Sequence, residues 1–158
     1  MNRLFKTGPL FAEQGQEKEF NMSEQLTLGQ KASLENTVTA EMTADRFADG
    51  PAEKFPAVLA TPFLIADLER ACALLLTPLL EEGQLSVGAH IDVRHLAPTA
   101  VGGRYTATAT FIENRSPLFW FEVVAEDSAG IIGKGRIARA IVSEAAILAR
   151  ADQSVSGS

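Results

Sequence analysis

The sequence contains few of the residues that bind metals, form disulfides or span membranes. It contains one cysteine and two histidines, too few for an internal disulfide or for a zinc site built from several Cys and His ligands. The longest apolar run, 71–76, is far shorter than the roughly 20 residues that a membrane-spanning helix needs. A formal net charge of −6 lacks the basic excess typical of nucleic-acid-binding proteins. We therefore expect a cytoplasmic protein with no metal site, no nucleic-acid partner and no membrane partner.

The composition is that of one globular domain. Hydrophobic residues make up 46% and charged residues 22%, an ordinary balance that allows a buried core. A length of 158 residues fits one domain better than two. We predict a flexible extension over 1–24, where the sequence is polar and has no period, a folded domain over 25–150, and a flexible tail over 151–158, where the residues are small and polar.

One segment, 62–80, has the period of an amphipathic helix. With a turn of about 100° per residue, its apolar side chains fall on one arc. They are Leu64, Ile65, Leu68, Cys72, Leu75, Leu76 and Leu79. Asp67 and Arg70 are assigned to the opposite, solvent-facing side. Thr61 is placed at the N-cap and Pro62 at the first helical position, where its missing N–H costs nothing. The preceding segment should be a loop with at most short helical turns.

The rest of the domain has the period of β-strands. From residue 86 to residue 143, apolar and polar positions alternate in runs that turn signals separate, and one weaker candidate strand, 32–39, precedes the helix. The order of elements is therefore strand, long helix and four strands. It predicts an α+β fold in which one long central helix packs against a five-stranded antiparallel sheet.

Parity separates the two histidines. His95 has the parity of the apolar positions 87, 89, 91 and 93, whereas His90 has that of its polar neighbours and should face solvent or a partner. A histidine on a core face is usually a hydrogen-bonded structural residue. It can also act as a general base near neutral pH, which few other side chains can do.

Three further residues could carry chemistry. Glu69 lies about 20° beyond the edge of the apolar arc, where a carboxylate can reach water or, partly desolvated, can orient a histidine, act as a base or attack a carbonyl. Thr61 has a sufficient explanation as an N-cap, but its direction is also near the middle of the arc. A hydroxyl, a carboxylate and an imidazole are the ingredients of base-assisted acyl transfer. Gly88 marks either a bulge or a close approach, and its N–H could polarise a carbonyl oxygen.

Several separated blocks resemble the fluoroacetyl-CoA thioesterase family of hot-dog proteins. The blocks are FPAVLATPF at 55–63, LERAC at 68–72, SVG at 86–88, VRHLAPT at 93–99 and IGKGRIARA at 132–140. Together they extend the resemblance over about residues 30–147. The resemblance implies a hot-dog fold, in which the sheet wraps the long helix, and a homodimer with the acyl-CoA site between the subunits.

The resemblance also implies roles for individual residues. The family's catalytic Thr, Glu and His match Thr61, Glu69 and His95, its oxyanion-side glycine matches Gly88, and an arginine near the CoA end of the site matches Arg139. The implied reaction is hydrolysis of an acyl-CoA to a carboxylic acid and free CoA, with no cofactor apart from the CoA of the substrate. His95 and Glu69 would activate either Thr61 or a water molecule, and it stays open whether Thr61, Glu69 or water attacks the carbonyl.

The sequence departs from the family pattern near the acyl pocket. Members specialised for the fluorinated substrate have a phenylalanine lid. Phe55 matches one lid position and is expected to bind substrate, but Leu59 and Pro62 stand where the specialised enzyme has Phe and Gly. This difference favours a general short or medium acyl-CoA. The alternatives are a non-catalytic acyl-CoA-binding hot-dog protein and a hot-dog hydratase, whose Asp/His motif is absent from the sequence.

Overall fold

The computed structural model describes residues 26–157, so the predicted extension over 1–24 lies outside the described residues. The strands and helices are β1 (Lys31–Thr37), α1 (Thr61–Leu76), β2 (Gln84–His95), β3 (Arg104–Arg115), β4 (Leu118–Asp127), β5 (Gly130–Ser143) and α2 (Glu144–Ser156). Short 3-10 turns occupy Ala40–Met42, Ala44–Phe47 and Thr77–Leu79. The prediction of short helical turns within an otherwise irregular segment before α1 is confirmed.

All five strands form one antiparallel sheet in the order β1-β3-β4-β5-β2. β1 and β2 are therefore its edge strands. Helix α1 packs against one side of the sheet, which we call the inner face, and contacts all five strands. The α+β class and the arrangement of one long helix against a five-stranded antiparallel sheet, both predicted from the sequence, are confirmed.

The core lies between α1 and the inner face. Its buried apolar side chains include Leu64, Leu68 and Leu76 of α1, Ala107 and Phe111 of β3, Phe121 and Val123 of β4, and Ile137 of β5. Burial of a large apolar side chain contributes about 1.5–3 kcal/mol each, so these contacts fix the helix on the sheet. Cys72 is fully buried among them, and this burial raises the pKa of its thiol to about 12. The thiol therefore stays protonated at neutral pH.

Asp67 corrects the helical-wheel assignment, because it is buried rather than solvent-facing. Its Oδ2 accepts hydrogen bonds from the Tyr105 hydroxyl and, at 2.8 Å, from Asn36 Nδ2, and its Oδ1 accepts from Arg70 at 2.8 Å. On the wheel, Asp67 lies about 60° beyond the edge of the apolar arc. At that angle, side chains of β1 and β3 lie next to the helix and donate hydrogen bonds in place of water.

The ends of both helices also differ from the predictions. The N-cap of α1 is Ala60 and makes no side-chain cap hydrogen bond, while Thr61 is the first residue of the helix. The tail that the sequence predicts to be flexible is helical as far as Ser156. Ser143 Oγ accepts a hydrogen bond from the N–H of Ala146 and so caps this second helix. The small, polar composition of the tail did not indicate this cap. Within the described residues, neither helix combines the length and apolar character required to cross a membrane.

Replacing Tyr105 with Phe should lower the free energy of unfolding by about 1–3 kcal/mol, because the buried Asp67 carboxylate would lose a donor that water cannot replace. Arg70→Gln removes a donor from the same carboxylate and is the matched control. The Arg70 side chain is 66% exposed, so its loss should cost less than about 1 kcal/mol. Denaturant unfolding of both variants measures the difference. Equal losses would contradict the assignment of Asp67 as a buried anchor.

Candidate active site

Thr61 and His95 form a hydrogen-bonded pair, the hydroxyl–imidazole pair. Thr61 is the first residue of α1 and His95 is the last residue of β2, and Thr61 Oγ1 lies 2.8 Å from His95 Nδ1. At this distance the Thr61 hydroxyl can donate a hydrogen bond to Nδ1. In the tautomer with the proton on Nε2, Nδ1 accepts this hydrogen bond. The arrangement places a hydroxyl in direct contact with a base.

The surroundings of His95 favour the neutral imidazole. Desolvation lowers the pKa of His95 below its ordinary value of 6.5, and the nearby Ala97 backbone opposes this shift only in part. His95 Nε2 is buried and has no hydrogen-bond partner among the described residues. Burial disfavours the charged imidazolium, so the surroundings of the ring favour its neutral form.

Glu69, Gly88 and Arg139 form a second group, the carboxylate cluster. Glu69 projects from the middle of α1, and its Oε1 accepts a hydrogen bond from Arg139 Nη1 at 2.9 Å. Gly88 of β2 leaves the space for this carboxylate, because a Cβ at position 88 would lie 2.1 Å from Glu69 Oε1. The close approach that the sequence suggested for Gly88 is therefore present, and so is the bulge, which follows directly between Gly88 and His90.

The bulge corrects the parity assignment along β2. It inserts Ala89 as an extra residue, so the two parts of the strand present opposite parities to the helix. Gly88, which is even-numbered, and His95, which is odd-numbered, both contact α1. Ile91 pairs with the buried Ile137 and so keeps its predicted face, but it is 44% exposed on the edge strand. His90 is exposed as predicted, and its ring lies 5.2 Å from that of Trp120.

The two groups are separate within one chain. Thr61 and Glu69 are eight residues apart on α1, which corresponds to about 12 Å along the helix axis. No contact described within residues 26–157 joins the hydroxyl–imidazole pair to the carboxylate cluster. A single chain thus brings Thr61 together with His95, and Glu69 together with Gly88 and Arg139, but it does not bring all three predicted catalytic side chains into one contact.

The predicted substrate-binding residues differ in their positions. Arg139, expected near the CoA end of the site, turns inward, where its Nε donates to Ser86 Oγ at 3.2 Å and its Nη2 to the Ser86 carbonyl at 2.8 Å. The sequence assigned no role to Ser86, which appears there only as the first residue of the SVG block at 86–88. Phe55 is 47% exposed in the segment before α1, whereas Leu59 is buried in the core. No three His, Cys, Asp or Glu side chains of the described chain are grouped to hold a metal ion.

His95 should titrate below pH 6.5 in the folded protein, because burial disfavours the imidazolium. A group whose pKa is depressed by folding contributes stability above its unfolded pKa. That contribution should therefore be lost as the pH falls from 6.5 through the lower folded pKa. Imidazole NMR signals followed over a pH series measure the titration, with His95→Ala identifying the resonance. Titration of His95 at or above pH 6.5 would contradict the burial of its ring.

Comparisons with known proteins agree with this architecture. The sequence profile of the family described as fluoroacetyl-CoA-specific thioesterase matches residues 38–145. The fluoroacetyl-CoA thioesterase of Streptantibioticus cattleyicolor is 40% identical over 91 residues, which span 56% of this chain and 64% of that protein. The structure of the fluoroacetyl-CoA thioesterase FlK has a TM-score of 0.77 at 29% identity and covers 82% of this chain and 97% of its own.

Two further structures show how widely the fold is shared. A thioesterase superfamily member from Thermus thermophilus gives a TM-score of 0.74 at 27% identity, covering 85% of this chain and 98% of that one. A hot-dog-like protein from Thermanaerovibrio acidaminovorans gives 0.70 at 22% identity, with 85% and 96% covered, and so supports the hot-dog fold alone. With more than half of its residues matched by the family profile, the chain belongs to the fluoroacetyl-CoA-specific thioesterase family.

Proposed function

We propose that the protein hydrolyses the thioester of a short or medium acyl-CoA to the free acid and CoA. The observation that carries this proposal is the hydrogen bond between Thr61 Oγ1 and the neutral imidazole of His95. Membership of a thioesterase family supports the reaction type. A relative, an FlK variant, was crystallised with fluoroacetate and CoA, which supports an acyl-CoA as the substrate class.

The proposed chemistry uses His95 twice. Nδ1 first accepts the proton of the attacking group, either the Thr61 hydroxyl or a water molecule, as that group adds to the thioester carbonyl. The C–S bond then breaks, and the proton passes from His95 to the leaving CoA sulfur. If Thr61 attacks, a water molecule hydrolyses the resulting acyl ester by the same steps. The Gly88 N–H is the proposed donor to the carbonyl oxygen while it carries negative charge. Because Gly88 belongs to the carboxylate cluster, this donor comes from the partner subunit in the homodimer proposed below.

The residues around the start of α1 indicate which class of acyl group the protein accepts. Leu59 is part of the buried core, and Pro62 is in the first turn of α1, so neither supplies the phenylalanine lid that the family resemblance implies for fluoroacetyl specialists. Phe55 stands alone at a lid position. We therefore propose a general short or medium acyl chain as substrate, and the cytoplasmic location expected from the sequence stays a prediction.

The active unit that we propose is a homodimer formed through β2. This edge strand has twelve residues, with exposed positions from Gly88 to Asp92, and a long unpaired edge favours pairing with another strand. If a two-fold axis crosses β2 midway between Gly88 and His95, the hydroxyl–imidazole pair of one chain faces the partner subunit's Glu69. The same axis generates two identical sites. This arrangement would close the gap of about 12 Å that separates the two groups in one chain.

Mixing two inactive variants should restore activity if the site is shared between subunits. In a heterodimer of His95→Ala and Glu69→Gln chains, one site carries both substitutions and the other carries neither. Unfolding and refolding the two variants together should give about a quarter of the wild-type activity, because about half of the dimers are mixed and each has one intact site. The measurement is CoA release from the mixed sample, compared with each variant refolded alone.

The control for this mixing experiment is a chain carrying both substitutions, refolded with His95→Ala, which leaves no site intact in any pairing. No restoration in the first mixture, while size measurements show that mixed dimers have formed, would place the whole site within one chain and reject the shared arrangement.

An acyl-CoA panel tests the reaction itself. The wild-type protein should release CoA, detected with a thiol reagent, from one or more short or medium acyl-CoAs. His95→Ala should lower turnover by about 10²–10⁴-fold, because it removes the general base. His90→Ala is the matched control on the same strand and should leave turnover near the wild-type value.

The outcomes of the panel separate the alternatives. Absence of CoA release at every chain length, together with ligand-induced thermal stabilisation, would favour the non-catalytic acyl-CoA-binding protein. Equal losses from the two histidine variants would reject the assignment of His95 as the base.

A further inference from the structure

The position of Arg139 is unsuited to binding the phosphates of CoA. Its side chain is only 11% exposed, and it faces the middle of α1 from the inner face of β5. Each of its three nitrogens donates to a protein acceptor, one to Glu69 and two to Ser86. A phosphate-binding arginine needs donors directed towards an accessible anion, and this one has its donors directed towards a carboxylate and a neighbouring strand.

We propose that Arg139, anchored by Ser86, is a positioning residue that holds Glu69 in the site, and that it does not bind the nucleotide part of CoA. The inference rests on the proposed thioesterase function, because it gives Glu69 a defined orientation within that site. Neither Arg139 nor Ser86 would touch the reacting atoms. Their effect on the reaction passes through the Glu69 carboxylate.

The three residues form a chain of contacts across the sheet. Ser86 of β2 accepts from two different guanidinium nitrogens of Arg139, one through its hydroxyl and one through its backbone carbonyl. These two hydrogen bonds fix the plane of the guanidinium. The remaining contact, from Nη1 to Glu69 Oε1, is thereby aimed at a single carboxylate position. An arginine can make these contacts together because its donors form a rigid fork, whereas a lysine cannot.

Gly88 also borders the Glu69 side chain. The hydrogen at its Cα leaves the space that Glu69 Oε1 occupies, and this position is two residues after Ser86 on the same strand. Glu69 is therefore bounded by β2 through Gly88 and held by β5 through Arg139. Its side chain is still 26% exposed, so the carboxylate is fixed without being sealed from a substrate or a partner subunit.

Two thioesters of the same acyl group distinguish positioning from nucleotide binding. One is the acyl-CoA, and the other is the acyl N-acetylcysteamine thioester, which has no phosphates. Arg139→Ala should lower kcat for both substrates by a similar factor, about 10²-fold, because misplacing a reacting group by about 1 Å costs a factor of that size. The KM for acyl-CoA should stay near its wild-type value. Added guanidinium ion should restore part of kcat in this variant.

Ser86→Ala is the milder test, and it matters if Arg139→Ala fails to fold. It should lower kcat for both thioesters in the same pattern, by about 10-fold, because it removes one of the contacts that fix the guanidinium. Arg136→Ala is the matched control. Arg136 lies on the same strand, but its side chain is 62% exposed and its ionic contact, with Glu122, is 3.8 Å long. Its kinetic constants should equal those of the wild type.

The results that would overturn the inference are distinct from those that would overturn the function. A wild-type protein that cleaves neither thioester contradicts the proposed function. In an active protein, a raised KM for acyl-CoA alone with unchanged kcat would assign Arg139 to nucleotide binding and overturn the inference. The carbon-13 signal of the Glu69 carboxyl group gives a reading without any substrate. If Ser86→Ala leaves that signal where it is in the wild type, Arg139 and Ser86 do not position Glu69.

Discussion

The rotation of α1 about its own axis is the constraint on which the candidate site depends, and two carboxylates fix it. Asp67 and Glu69 flank the apolar arc of the helix on opposite edges. Asp67 is held by donors from β1 and β3, whereas Glu69 is held from the other half of the sheet by Arg139 of β5. Apolar packing alone would tolerate a small rotation, because dispersion contacts are weak individually and have no preferred direction. Hydrogen bonds at both edges of the arc do not tolerate such a rotation. They therefore keep Thr61, at the start of the helix, directed towards His95.

Parts of this arrangement could be predicted because they depend on local sequence periods. The α+β class, the order of elements and the burial of Leu64, Leu68 and Cys72 follow from a period near 3.6 in the helix and of two in the strands. The approach of Thr61 to His95 could be predicted from the sequence for a similar reason. Both residues end an element on its apolar side, and a helix packed on a sheet brings such ends together.

Other features were beyond a periodic analysis because single residues or distant partners determine them. Ala89 adds one residue to β2 and thereby reverses the parity of everything before it, and no composition rule separates this position from a regular one. Asp67 was assigned to solvent because it lies outside the apolar arc, yet two of its donors are Asn36 and Tyr105, 31 and 38 positions away. The contact of Arg139 with Ser86 spans 53 positions. Only the folded sheet brings such partners together.

The separation of Thr61 and His95 from Glu69 in a single chain gives the proposed dimer a consequence for how activity is controlled. If each site draws its base from one subunit and its carboxylate from the other, no folded monomer has a complete site, and the number of sites follows the dimer concentration by mass action. The bulge at Ala89 then has two effects, because it turns Gly88 towards Glu69 while the rest of the strand keeps His95 on the same face. A regular β2 would point one of the two groups away from α1, and pairing with a second chain could not correct that. The irregularity in the edge strand is therefore the feature that makes a shared site geometrically possible.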